Sequence, residues 1–280
     1  MSNTKQALRE DFYLRLIQLN REGLSKLMAF IKKKIKFEQE TLIGELEKAL
    51  EQLVNTESIH EKESMFQVVC SMISLGRSSF STNNYKVNYE RAQSRIKDIK
   101  SWVPQNIVFY LDVGGGDGEI TSCIALRKKL HKSNVISLDI HLPTKRFDNI
   151  TYLDNWDCKE LSHRNRYDLI TCFESIHHFG EHTDNILHNI YNLLSPRGLL
   201  IIREHDVSSE QVSVISYLEW VHLTYTLVNN EHLQSLTPSC YRSNSELEEL
   251  MIKVGFVKVG CKHLKDMFHN YVAAYKKYIS

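Results

Sequence analysis

Along residues 5–53 the apolar positions fall at intervals of three and four. Leu8, Phe12, Leu16 and Leu19 are followed by Leu24, Leu27, Met28, Ile31 and Ile35, and then by Leu42, Leu46 and Leu50. A stripe with this period is what one buried helix face requires. The pattern therefore predicts a helical N-terminal region, punctuated at Gly23 and Gly44. Met65 to Leu75 predicts another short helix. Residues 76–89 (GRSSFSTNNYKVNY) lose the stripe and read as a connection or lid. Its aromatics, Phe80, Tyr85 and Tyr89, either tack it to the surface or stack on a planar ligand. Arg91 and Arg95 stand four apart on one predicted helix face, with Lys97 just beyond, and a boundary is expected near residue 100, before Pro104.

From residue 107 the rhythm changes. IVFYLDV (107–113), VISLDI (135–140), ITYLDN (150–155), YDLITCF (167–173) and GLLIIRE (198–204) are short apolar, β-rich runs, separated in several places by helical patterns such as 119–130 and 183–194. Strands apolar on both faces and alternating with helices predict a doubly wound α/β fold with a mostly parallel sheet. GFVKVGC (255–261) and FHNYVAAYKKY (268–278) resemble a closing antiparallel pair, so the sheet should have a terminal antiparallel strand. The expected organisation is a helical, locally basic region over 1–100 and an α/β domain over 101–280, the latter carrying an insertion at 207–245. Tyr217, Trp220, His222, Tyr225 and Tyr241 of that insertion either cover a ligand or, as in YLEWVHLTYTLV (217–228), pack as an amphipathic helix.

Composition narrows this picture only slightly. The formal charge is +1, but residues 1–100 carry a net +4 and the remainder a net −3. Lys32, Lys33, Lys34 and Lys36 cluster beside the first apolar stripe. They are either a solvated face or a contact for a polyanion such as nucleic acid. The first ten residues are too polar for a secretory signal, and no apolar run approaches the roughly 18–20 residues that span a bilayer. Six scattered cysteines suggest neither a disulfide framework nor a zinc knuckle, so a reduced, cytoplasmic setting is expected. Despite 13 histidines there is no HExxH, and adjacent His177 and His178 cannot point the same way on a regular element, so no metal is expected.

The most informative segment is LDVGGGDGE (111–119). Glycines permit steep backbone dihedrals and the close approach of a ligand, and a helix starting at Glu119 would offer unpaired N–H groups beside it. The turn is not a clean GxGxxG, since Glu119 occupies the last glycine's place, and it lacks the GK[ST] of a P-loop. Asp112 and Asp117 suit a positively charged ligand better than a pyrophosphate. Asp139, followed by Ile140, ends the second strand, where a carboxylate can accept from ribose hydroxyls; a turn or cap is its plainer role. Asp154, Asn155, Trp156 and Asp157 end the third, where an amide or acid can bind an adenine amine and Trp156 can cover the ring or pack in the core.

Together LDVGGGDGEI, Asp139, YDLITCFESIHHF and LLSPRGLLIIRE resemble the class I S-adenosylmethionine (SAM)-dependent methyltransferases over about residues 105–278. The resemblance implies SAM as cofactor and S-adenosylhomocysteine as product. The cofactor would be held by Asp112, Gly114, Gly115, Gly116, Asp117, Asp139, Ile140, Asn155, Trp156, Asp157 and Phe173. Two departures stand out: Leu199 replaces the second glycine of the turn before the fifth strand, and the gap from Asp112 to Asp139 is longer than usual. Groups facing the transferred methyl should come from the ends of strands four and five. That singles out Glu174, His177 and His178, with Glu204, His205 and Asp206 opposite. Methyl transfer needs alignment, plus a base where the acceptor carries a proton. The acceptor is open between a small molecule and RNA. The motifs of ribose 2′-O, exocyclic amino and cytosine-C5 methyltransferases are not evident, while guanine-N7 cap methylation stays open. The non-enzyme alternative is an interaction protein that kept the fold.

Overall fold

Side chains alternate across a strand, so a strand buried on both faces must be apolar, or internally satisfied, at every position. In the computed structural model β3 (Tyr110–Val113) and β6 (Tyr167–Phe173) meet this demand. Leu111, Val113, Ile170 and Cys172 enter one core, while Tyr110, Leu169 and Phe173 enter the other. The structure describes residues 12–37, 39–78, 85–140, 142–143, 146–159, 161, 166–228, 238–266 and 268–278. The chain divides into two units, residues 85–206 with 240–280 and residues 1–84 with 207–239.

The first of these holds the main sheet. β4 (Val135–Leu138), β5 (Thr151–Leu153), β7 (Leu194–His205), β8 (Phe256–His263) and β9 (Asn270–Lys277) complete the order β5-β4-β3-β6-β7-β9-β8. The strands from β5 to β7 pair in parallel; β9 pairs antiparallel with β7, and β8 antiparallel with β9. One face is covered by α6 (Thr183–Leu193) and α8 (Asn244–Val254) through Ile186, Leu187, Ile190, Leu247 and Met251. The other is covered by α4 (Tyr85–Ile99) and α5 (Glu119–Lys128) through Ala92, Ile96, Ile99, Ile124 and Ala125. Because α4 buries its apolar stripe here, this unit begins at residue 85 rather than near residue 100. Of the 76–89 connection, residues 79–84 with Phe80 lie outside the described residues, and residues 85–89 already belong to α4.

The other unit is helical. It contains α1 (Arg21–Lys34), α2 (Glu40–Asn55), α3 (Ile59–Ser74) and α7 (Val212–Val228), with β1 (Ile35–Lys36) and β2 (Arg77–Ser78) paired antiparallel. The long stripe read over 5–53 is thus interrupted at β1, where Ile35 leaves helical geometry with φ −116° and ψ 132°. A helix apolar all round is a buried one, and α7 fits: Tyr217, Leu218, Trp220 and Leu223 are almost fully enclosed. Trp220 Nε1 and Ser216 Oγ both donate to the Leu16 carbonyl, at 2.9 and 3.0 Å. The helix α7 therefore lies at the centre of this unit rather than forming an appendage of the sheet. Lys32, Lys33 and Lys34 occupy the last turn of α1, where cations complement the helix dipole, and Lys32 is paired with Glu47 at 2.8 Å. Among the described residues no helix is long and apolar enough to cross a membrane.

Candidate active site

The β3 ladder ends at Val113, and the chain turns sharply through Gly114 (φ +70°), Gly116 (φ +53°) and Gly118 (φ +80°) into α5. The amides of Gly114 and Gly115 both donate to the Leu138 carbonyl of β4, at 2.8 and 2.9 Å. The first two glycines are required by the protein itself. A Cβ on Gly114 would lie 2.1 Å from Ser175 Oγ, and one on Gly115 2.1 Å from Ser137 Oγ. Around Gly116, by contrast, a Cβ would meet nothing within 4 Å, and Gly116 and Asp117 are exposed at the mouth of the turn.

Asp112 lies beneath this turn, 3% exposed. Thr121 Oγ1 donates to one of its carboxylate oxygens and Thr171 Oγ1 to the other, the latter at 2.6 Å. Burial pushes its carboxyl up to about 6, against the pull of the two hydroxyls. Asp112 thus braces the turn from below and places a carboxyl group under it. Asp139 begins the loop after β4, and its Oδ2 accepts from the Gly116 amide at 2.8 Å, closing the turn's outer edge. Ile140 is 60% exposed beside it. Beyond β5, Trp156 packs partly against the core and edges onto His182 at 5.6 Å. The Asn155 carbonyl accepts from Cys158 N, and Asp157 accepts from Lys159, both amide and ammonium. Phe173 is a core residue, 7% exposed.

The ends of β6 and β7 hold a second cluster. Glu204 is 3% exposed and His177 2% exposed. Glu204 Oε1 accepts from the amides of Ser175 and Ile176 at 2.7 and 2.8 Å, and Oε2 lies 2.7 Å from His177 Nδ1. Burial pushes the Glu204 carboxyl up and the His177 imidazole well down from its ordinary value, which favours the uncharged ring. An anionic acceptor on Nδ1 selects the tautomer with its proton there and leaves the lone pair on Nε2. Tyr241 stacks on His177 at 5.2 Å and 17°, and His205 approaches at 5.1 Å with its own Nδ1 2.7 Å from the Phe268 carbonyl. His178 is exposed, its ring 4.1 Å from that of His177. Asp206 accepts from the Asn244 amide at 2.7 Å, at the start of α8.

Glu174 differs from the rest. It has φ +53°, and its carboxylate is gripped by Arg95 at 2.6 Å and Arg203 at 2.9 Å. Burial alone would raise this carboxyl; the two guanidiniums outweigh it and hold the group well below the usual carboxylate range. Arg203 also pairs with Asp98 and Asp266, each at 3.1 Å. Glu174 is therefore a permanently ionised strut.

Sequence reasoning passes over Ser175, Thr121, Thr171 and Arg203, although each lies within a segment singled out for other residues. Arg91 and Arg95 share a helix face by their spacing, yet the structure gives each a separate carboxylate: Arg91 holds Glu119 at 2.7 Å and Arg95 holds Glu174. A signal for Arg203 is present in the sequence, since it ends the apolar run Leu199–Ile202 of a core strand, where an unpaired cation could not be buried.

A profile described as a methyltransferase domain matches residues 85–259. No curated protein matches significantly. Among solved structures, a Haloferax volcanii protein in complex with the Trm112 methyltransferase activator superposes with a TM-score of 0.50 at 14% identity, over 72% of this chain and 98% of that one. An S-adenosylmethionine-dependent methyltransferase structure from Listeria monocytogenes gives 0.49 at 15% identity, over 67% and 100%. Burkholderia thailandensis 1,6-didemethyltoxoflavin-N1-methyltransferase, with bound 1,6-didemethyltoxoflavin and S-adenosylhomocysteine, gives 0.49 at 16%, over 79% and 91%. At such identities the likeness is one of fold, and the profile match over most of the chain carries the family. The chain belongs to the methyltransferase-domain family and is a class I SAM-dependent methyltransferase with SAM as its cofactor.

Proposed function

We propose that this enzyme methylates a small molecule whose proton is taken by His177, with Glu204 fixing the tautomer. The observation that carries the reading is the buried pair itself, 2.7 Å between His177 Nδ1 and Glu204 Oε2, at the carboxyl ends of β6 and β7. Open α/β sheets bind ligands in the crevice outside the carboxyl ends of their strands. A nitrogen on a ring 2% exposed suits an acceptor small enough to be enclosed.

The turn fits SAM. Its mouth at Gly116 is open, a partly exposed carboxylate at Asp139 stands where a ribose diol can replace the Gly116 amide, and no cation in the turn awaits a phosphate. Gly114, Gly115, Gly116 and Asp117 would hold the methionyl part, Asp139 the ribose, and Ile140, Asn155, Trp156 and Asp157 the adenine. Asp112 and Phe173 support this wall from behind. SAM, when bound, supplies an electrophilic methyl on a sulfonium that departs as the neutral thioether of S-adenosylhomocysteine.

The chain's own groups do the rest. His177 Nε2 accepts the proton as the acceptor–methyl bond forms, and Glu204, with two amides holding its far oxygen, stabilises the imidazolium. His178 and His205 flank the acceptor as hydrogen-bonding groups, and Tyr241 keeps the His177 plane fixed. Glu174 takes no proton. Six free cysteines, four of them buried, support a reduced cytoplasmic setting. RNA is the second reading, because Lys32 is already paired with Glu47 and Lys33 and Lys34 complete a helix end. Salt-sensitive RNA binding lost on neutralising Lys32, Lys33, Lys34 and Lys36 would reverse that preference.

The test is transfer of labelled methyl from SAM into fractionated metabolites, RNA and protein. Label is expected in the small-molecule fraction. It should fall by about 100-fold or more in His177→Ala, the lower end of what a single general base contributes, while S-adenosylhomocysteine binding by calorimetry stays within about threefold of wild type. Label in RNA, or a wild-type rate in His177→Ala, overturns the reading.

A further inference from the structure

One residue touches both halves of the site. The Ser175 side chain reaches the cofactor turn: its Oγ is 3.3 Å from the Gly114 carbonyl and 2.9 Å from that of Phe173, in the space a Gly114 side chain would need. Its main-chain amide donates to Glu204 Oε1, 2.7 Å away, and the next amide, Ile176, donates to the same oxygen. The residue after that is His177. Ser175 itself is 8% exposed and packed against glycine on its turn side.

The segment carrying these contacts has little freedom. Glu174, immediately before it, is held in the left-handed region by Arg95 and Arg203, and its amide donates to the Arg203 carbonyl at 2.6 Å. Arg203 and Glu204 are neighbours on β7 and point to opposite faces, so the two grip the 174–177 segment from opposite sides. In a close-packed interior of low compressibility, a small displacement of Ser175 is passed on to the groups it contacts instead of being absorbed. The single Ser175 hydroxyl proton is shared between the Phe173 carbonyl at 2.9 Å and the Gly114 carbonyl at 3.3 Å, and the longer of the two contacts joins the segment to the turn.

We propose that Ser175 is a positioning residue that makes the geometry of the His177–Glu204 pair depend on occupancy of the cofactor turn. Ligand entering the turn moves the Gly114 carbonyl, Ser175 follows through its hydroxyl, and its amide resets the carboxylate that orients His177. The base is thereby aligned when a methyl donor is present. The inference rests on the reading of His177 as the base, and its test separates the two.

The experiment titrates 15N-histidine-labelled protein with S-adenosylhomocysteine and follows the His177 imidazole resonances, assigned by their loss in His177→Ala. In the wild type they shift as the turn fills. In Ser175→Ala the shift falls by more than half at saturation, although calorimetric affinity for S-adenosylhomocysteine stays within about threefold. In the same variant kcat falls roughly five- to tenfold, with KM for SAM changed less than twofold, the signature of lost alignment rather than lost binding. Ser175→Cys, whose thiol is a weak donor, recovers part of the shift and supplies a second variant should alanine unfold the segment. Wild-type resonances that ignore S-adenosylhomocysteine, or a full shift in Ser175→Ala, overturn the coupling. A His177→Ala enzyme with unchanged turnover would instead remove the base on which it acts.

Discussion

Replacing Asp112 by asparagine should stabilise the protein at neutral pH. Asp112 is 3% exposed and its carboxyl is pushed up to about 6 from an ordinary 3.8. Converted at 1.36 kcal/mol per pH unit, that gap is a deficit of about 3 kcal/mol for holding the charge in the folded state. Because the folded value is raised for an acid, the native state binds more protons than the unfolded chain between 4 and 6. Stability therefore falls as pH rises through that window, and the full deficit persists above it. Asparagine has no charge to bury, and its amide can be satisfied. Thr121 can keep donating to the oxygen, while Thr171 can accept from the nitrogen by turning its own proton to Tyr110, whose hydroxyl is 2.8 Å away. Urea unfolding of both proteins at pH steps from 4 to 8, followed by circular dichroism, reads the difference. The variant's advantage should grow by roughly 2 to 2.5 kcal/mol from pH 4 to 7. A constant difference, or one of opposite sign, would show that the threonine hydroxyls win over burial and that the charge is not costly.

Three further outcomes follow from the same geometry. Gly116→Ala should lower stability by only about 1 kcal/mol, the left-handed backbone cost alone, whereas Gly114→Ala also sets a Cβ 2.1 Å from Ser175 Oγ and should cost clearly more; equal melting shifts would discredit the packing argument. Asp139→Ala should weaken S-adenosylhomocysteine binding by roughly tenfold to a hundredfold, as expected for charge-assisted hydrogen bonds, and unchanged calorimetric affinity in a folded variant refutes the ribose assignment. Arg203→Met leaves Glu174, Asp98 and Asp266 without their shared cation and should destabilise by about 3 kcal/mol or more. Since the Glu174 carboxyl is held below its ordinary 4.5, its contribution is present above that value and disappears as pH falls; an acid limb as steep in the variant as in wild type argues against it.

The central strands β3 and β6 are legible because both their faces are buried, and a short continuous apolar run between turn residues is what a strand covered on both sides demands. Tyr167–Phe173 appears at its expected bounds. At 107–109 the run overshoots the ladder: the amides of Val108 and Phe109 are taken by the Asp168 carboxylate at 2.8 and 3.0 Å, a side-chain contact that hydrophobicity does not encode. β7 starts earlier than expected because Leu194 pairs with Tyr167 across a register shift. α8 escapes a reading of apolar spacing, although its capping box, Ser243 with Glu246, is a local signal. The allocation of 85–99 and 207–239 between units is not legible, because an amphipathic stripe says that a face is buried and not against what. In the site, residue types and approximate places are legible from the turn and the strand ends. Which carboxylate meets which cation is not, because Arg95 and Glu174 are 79 residues apart in sequence.

The proposed chemistry turns on that last distinction. Glu174 and Glu204 look equivalent in the sequence, each at the carboxyl end of a core strand and each near a histidine. Their surroundings push them in opposite directions. Two guanidiniums hold Glu174 ionised well below the usual range, while burial pushes Glu204 up. A carboxylate already neutralised by two guanidiniums fixes geometry, whereas a carboxylate whose charge burial makes costly gains most when its neighbour becomes a cation. Two carboxylates of one type are thus assigned two roles by strand alternation. Arg203 faces the α4 side and captures one; the next residue, Glu204, faces the other side, where two amides and a histidine meet its carboxylate. Shifting β7 by one residue would exchange these partners, leaving His177 facing a cation instead of an acid. The register of the sheet at Cys172 with Ile202 and Phe173 with Arg203 is therefore a condition for the proposed base as much as for the fold.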